Sequence, residues 1–98
     1  MKIYAGSNNF VPANTSAGKL IHSGPGKIRV ILASASTGTG TITFYDNTAA
    51  SGTVLLALYP SSMGGIFAEY PQLTPLVFTT GLTIVTSQYA ACHVVTEF

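Results

Sequence analysis

The residues able to do acid–base, nucleophilic or metal chemistry are few and scattered along this chain. The two histidines, His22 and His93, lie far apart, and Cys92 adjoins the second. The three carboxylates belong to three separate segments: Asp46, Glu69 and Glu97. Acid–base catalysis needs titratable groups a few ångströms apart, and a metal site needs three or four suitably spaced ligands. The sequence therefore predicts no catalytic residue, no metal site and no cofactor, and we expect that the protein is not an enzyme.

Cys92 and His93 are the one close pair, but their position argues against nucleophilic catalysis. Neighbours on a strand point to opposite faces of a sheet. Alanines and valines flank Cys92, which is typical of a small buried hydrophobe, whereas a reactive thiolate needs a basic or helix-terminal setting. We interpret each histidine as a strand residue hydrogen-bonded at a sheet surface, and Asp46 as a turn cap.

The low charge of the chain bears on its partners. Only 7% of the 98 residues are charged, the net charge is +1, and a typical soluble domain is about 25% charged. Four scattered basic residues make no footprint for nucleic acid, and the apolar runs are too short to span a membrane as helices. The N-terminus has no long apolar stretch of a signal peptide, so we expect synthesis in a cytoplasm. A near-neutral surface of Ser, Thr, Asn and Gly favours association with other protein.

Short runs of β-branched and aromatic residues alternate with Gly, Pro and Asn every 8 to 12 residues, which is typical of a sandwich or barrel. We predict an all-β fold, an antiparallel β-sandwich (jelly-roll-like or Ig-like) of about seven to eight strands. The predicted strands from residue 19 onwards are 19–23, 27–34, 41–45, 53–59, 66–70, 76–79, 82–86 and 89–98.

Residues 1–18 differ from the rest and are predicted to form an extended N-terminal arm, ahead of a sandwich domain over 19–98. A short strand-like start at 2–5 leads into a segment rich in Asn, Ser and Pro. Two interpretations stay open for this arm: a frayed terminus, or a segment that adds to the sheet edge of a neighbouring molecule.

Alternation along the strands predicts which side chains are buried. In the second clear strand, Ile28, Val30 and Leu32 share one face, which we assign to the core. The return strand over 53–59 is apolar on both faces, so it is either central or covered by a partner. Its outer face and the arm are the predicted contact surfaces: Ile3, Tyr4, Phe10, Val11, Leu55, Ala57 and Tyr59.

Three stretches resemble small virion proteins of tailed bacteriophages: GPGKIRVIL at 24–32, GTITFYDNTAASGTVL at 40–55, and GLTIVT at 81–86. The shared features are a Tyr-Asp-Asn-Thr corner, a returning Ser-Gly-Thr and a Gly-Leu that opens a late strand, within residues 19–97. The resemblance implies a capsid decoration (cement) subunit or another small head or tail component. It brings no catalytic residues, and it implies a trimer on a three-fold position of the shell.

These observations favour a decoration protein of the virion that stabilises a phage head by contacts with the major capsid protein or other virion proteins and with copies of itself. The alternative is a tail, neck or fibre module, which could bind a glycan of the host surface. The tyrosines and phenylalanines could form a sugar platform, but such platforms usually use Trp, which this chain lacks, and Tyr is favoured at protein interfaces.

Overall fold

The structure, a computed structural model, describes residues 7–36, 38–69 and 76–97. Within them there are nine strands and no helix. The strands are β1 (Ser7–Val11), β2 (Lys19–Ser23), β3 (Gly26–Ala35), β4 (Ile42–Tyr45), β5 (Val54–Leu58), β6 (Ile66–Glu69), β7 (Leu76–Phe78), β8 (Gly81–Thr86) and β9 (Ala90–Glu97). The predicted all-β class is confirmed.

The strands form two antiparallel sheets, as the predicted sandwich requires. The five-stranded sheet has the order β1-β9-β3-β6, and β7 pairs with β3 beside β6. β6 covers 30–33 of β3, while β7 covers 26–28. The four-stranded sheet has the order β2-β8-β4-β5. Most neighbouring strands are therefore distant in sequence, and β3 with β9 forms the longest ladder.

The core lies between the sheets and is made by alternating side chains of both. From β9 it receives Ala90, Cys92 and Val94, and from β4 it receives Ile42 and Phe44. Each of the five is at most 1% exposed, which confirms the predicted burial of Cys92. Thr96 continues the inward row of β9, and its hydroxyl accepts a 3.4 Å hydrogen bond from the Asn9 amide.

The predicted N-terminal arm is only partly separate from the sandwich. Residues 1–6 of it lie outside the described part of the chain. Ser7–Val11 form the edge strand β1, which pairs with β9 of the same molecule, and Val11 is fully buried. Asn14 has a positive φ of 61° in the loop that follows. The sandwich therefore includes residues assigned to the arm, and the ninth strand accounts for the difference from the predicted seven or eight.

Of the β3 residues assigned to the core, Ile28 and Val30 are buried, at 0% and 6% exposed, but the assignment of Leu32 is wrong. The pairing with β9 shifts register between Ile28 and Val30, which marks a β-bulge. A bulge adds one residue to one strand and so reverses the alternation beyond it. Ile31 is consequently fully buried, whereas Leu32, assigned to the core from its sequence, is 51% exposed. The outer face of the five-stranded sheet thus gains an apolar side chain.

Candidate interaction surfaces

Cys92 and His93 lie on opposite faces of β9, as predicted. Cys92 is buried in the core, and burial raises the pKa of its thiol to about 12, although the charge of Lys19 acts in the other direction. The His93 ring is on the outer face, 4.7 Å from the ring of Phe10. His22 contacts the buried Phe78 edge-on, with ring centroids 6.2 Å apart. This arrangement offers no thiolate for nucleophilic chemistry.

Two carboxylates, Asp46 and Glu97, serve structural roles at separate places. Asp46 accepts hydrogen bonds from the backbone of Thr79 and Thr80, so it caps the β7–β8 turn and not its own loop. Glu97 pairs with Arg29 at 2.9 Å. No group of three or more His, Cys, Asp or Glu residues that could hold a metal ion occurs in the described part of the chain.

The outer face of the five-stranded sheet carries a row of three large apolar side chains and one imidazole. Phe10, His93, Leu32 and Phe67 are cross-strand neighbours on β1, β9, β3 and β6. Phe10 is 46%, Leu32 51% and Phe67 63% exposed. We call these four residues the apolar row. Side chains of such size on one exposed sheet face make it a candidate binding surface.

The rows beside the apolar row complete this face. Val95 pairs with Val30 and Asn8 in the next row. These three residues line an open depression of about 270 Å³ together with Leu32, Phe67 and His93. Further along, Lys27 pairs with Glu97 on one side and Val77 on the other. Charge is therefore placed at one end of the face, and its centre is apolar.

The outer face of the four-stranded sheet differs because loops of the same chain cover part of it, around Thr83. The Thr83 hydroxyl donates a 2.9 Å hydrogen bond to the carbonyl oxygen of Asn47, and Thr83 is only 3% exposed. A Cβ on Gly18 would lie 2.9 Å from the Thr83 methyl and 3.1 Å from Ala50. Since Gly18 also has a φ of 88°, a glycine is needed for this close approach.

A second exposed apolar group lies at one end of the sandwich, which we call the loop end. Hydrogen bonds tie its three connections together: Ser36 N donates to Tyr89 O, Gly40 N to Pro60 O, and Ser62 N to Gly38 O. Three large side chains on these connections are exposed to solvent: Met63 is 95%, Tyr59 64% and Tyr89 43% exposed.

The predicted contact residues fall in different places. Ile3 and Tyr4 lie outside the described residues. Phe10 belongs to the apolar row and Tyr59 to the loop end. Leu55 and Ala57 are half-buried, and Leu55 packs against the core. Val11, being fully buried, is not available to a partner. Leu32, Phe67 and Met63 were missed; Met63, in a Ser-Ser-Met-Gly-Gly turn, could have been found from the sequence.

No helix in the described ranges is long and apolar enough to cross a membrane. Comparison of the chain with protein-family models, with curated proteins and with solved structures gave no match.

Proposed function

We propose that this chain is a structural protein of a tailed-bacteriophage virion: a capsid decoration (cement) subunit that binds the major capsid protein and stabilises the head. In this proposal the chain is not an enzyme, needs no cofactor, and does its work on the assembled virion by protein–protein contact. The resemblance of residues 19–97 to small virion proteins supports the proposal, as does the low charge of 7%.

The loop end is the surface that we propose binds the major capsid protein. Met63 and Tyr59 are among the most exposed large apolar side chains described, and neither takes part in the described core. Burying such a side chain against a partner contributes about 1.5–3 kcal/mol before the costs of association. A shell offers the same binding site many times, so a small contact of this kind, repeated and joined through self-association, gives strong attachment by avidity.

Binding to heads tests the proposal. The purified chain is mixed with phage heads that lack it, prepared from the phage whose genome encodes the chain, and bound protein is measured by co-sedimentation. We expect saturable binding and a higher temperature of head disruption. The double variant Tyr59→Ser, Met63→Ser is expected to bind at least about 30-fold more weakly, the ratio that corresponds to the loss of an interface hot spot.

Leu20→Ser is the matched control, because Leu20 is 50% exposed on the four-stranded sheet, away from the loop end. It is expected to bind heads like the unsubstituted chain. Absence of binding to heads would contradict the proposal, and sedimentation with isolated tails instead would favour the tail, neck or fibre module.

A further inference from the structure

We propose that the outer face of the five-stranded sheet binds a second copy of this chain, face to face, about a two-fold axis that runs along the strands between β9 and β3. The inference rests on the proposed function in one respect: the chain acts as a subunit of an assembly. It adds the surface used for self-association and the symmetry of the contact.

The order of strands makes this face complementary to itself. A two-fold axis between β9 and β3 exchanges β1 with β6 and β9 with β3. Phe10 then lies over Phe67 of the second copy, and His93 lies over its Leu32. In the next row Val95 lies over Val30 of the second copy, but Val30 is only 6% exposed, so this pair adds little contact area. Aromatic side chains therefore oppose aromatic ones at both edges, and near the axis the His93 imidazole opposes the Leu32 side chain of the second copy.

The charges at the end of the face match under the same axis. Glu97 is on β9 and Lys27 is its neighbour on β3. Exchange of these two strands places Glu97 of each copy opposite Lys27 of the other. Opposite charges at the rim favour this register and disfavour alternatives, while the apolar centre contributes most of the affinity.

The size of the face is sufficient for a weak specific dimer. With strands ~4.8 Å apart and ~3.3 Å per residue, four strands and the eight residues of β9 span ~19 by 26 Å. This is a flat footprint of roughly 500 Å² per copy, or ~1,000 Å² in total, which is the lower bound for a specific interface. Two sheets stacked with aligned strands are also a common packing in proteins.

The contact is isologous, since each copy uses the same patch, and such contacts close as dimers. A three-fold ring needs two different patches on each copy. The geometry of this face therefore favours a dimer, in contrast to the trimer that the resemblance implies.

Sedimentation equilibrium of the whole chain tests the inference, from about 1 to 300 µM, where interfaces of this size dissociate. We expect a mass of twice 10.2 kDa at the upper end. Leu32→Glu is expected to raise the dissociation constant at least about 30-fold, because it replaces an apolar side chain at the centre by a carboxylate that must lose its hydration there. Leu20→Glu is the matched control, because Leu20 and Leu32 are 50% and 51% exposed, and we expect it to dimerise normally.

Two further variants test the same interface in case Leu32→Glu fails to fold. Phe67→Ser removes an exposed ring at the edge of the face and is expected to weaken the dimer. Lys27→Glu places two carboxylates together and is expected to weaken it about fivefold at low salt, with a smaller effect at high salt. Circular dichroism checks that each variant keeps its β-structure.

A monomer or a trimer across this range, or a dimer insensitive to both Leu32→Glu and Phe67→Ser, would overturn the inference. Its failure is distinct from failure of the proposed function, because monomeric Leu32→Glu chains keep the loop end and can be assayed on heads. If the chain dimerises as expected but does not bind phage heads, the dimer is supported and the proposed function is contradicted.

Discussion

Asp46 accepts hydrogen bonds from the backbone N–H groups of Thr80 and Thr79, at 2.8 and 3.0 Å, and thereby joins the β4–β5 loop to the β7–β8 turn. Burial by itself raises the pKa of this carboxyl group. The N–H groups of Thr80, Thr79 and Gly81 outweigh burial, and the pKa lies below its ordinary value of 3.8. The carboxylate therefore stabilises the fold more in its charged form than in its protonated form.

We expect Asp46→Ala to lower the free energy of unfolding at pH 7 by about 1–2 kcal/mol, because it leaves these N–H groups without their acceptor. A lowered folded-state pKa gives stability that is present above 3.8 and lost as pH falls through the folded-state pKa. The difference between the two proteins should therefore shrink in urea titrations repeated at about pH 2.5.

Asp46→Asn is the control, because it keeps one carbonyl acceptor and cannot ionise. It should lower the free energy of unfolding less than Asp46→Ala does. The difference in unfolding free energy between the two variants should not depend on pH, because neither can ionise at this position. If Asp46→Ala lowers the free energy of unfolding equally at both pH values, the charge of Asp46 does not stabilise the turn.

The thiol of Cys92 is expected to be inert in the folded protein. Burial raises its pKa to about 12, so at pH 8 the thiolate needed for reaction is almost absent. Labelling by a thiol reagent should follow global unfolding and accelerate with urea. A raised folded-state pKa also means that stability declines as pH rises above the unfolded value of 9.0. Rapid labelling without denaturant would contradict the buried position.

Gly40 and Gly64 should respond oppositely to the same substitution. A Cβ on Gly40 would overlap the Ala90 side chain and lie 3.1 Å from the backbone N and Cα of that residue, whereas a Cβ on Gly64 would meet nothing within 4 Å. Gly40→Ala is expected to destabilise the fold by about 1–3 kcal/mol through overpacking. Gly64→Ala should be neutral within about 0.5 kcal/mol. Thermal unfolding measures both, and equal effects would contradict the packing of β9 on Gly40.

The β-bulge in β3 predicts which of two adjacent residues supports the core. Ile31→Ala is expected to cost about 2–4 kcal/mol, because Ile31 is fully buried. Leu32→Ala should change stability by no more than about 0.5 kcal/mol at protein concentrations where the chain is monomeric. Regular alternation from Ile28 predicts the reverse order, so urea titration of the two variants distinguishes the two registers.

Several features of the fold were accessible from the sequence because they depend on local chemistry. Cys92 was correctly predicted to be a buried hydrophobe with His93 on the opposite face, because neighbours on a strand alternate between the two faces of a sheet. Asp46 was identified as a turn cap, but its partner turn lies more than thirty residues away, and no local pattern names such a partner.

The candidate surfaces were only partly predictable. Phe10 and Tyr59 were expected to be exposed, and they are. The apolar row as a whole was not expected, because it depends on the pairing of four strands and on a bulge that moves Leu32 outward. The edge strand β1 was missed for a similar reason: Ser and Asn residues have low strand propensity, and its pairing with β9 outweighs that preference.

The amino-acid sequence by itself determined the class of the protein, because β-branched alternation, turn residues and scarce charge are properties of neighbours along the chain. Tertiary structure decided which apolar side chains remain in solvent. Strand order and the bulge in β3 are settled by contacts between residues far apart in sequence, and those contacts align Phe10, His93, Leu32 and Phe67 on one open face.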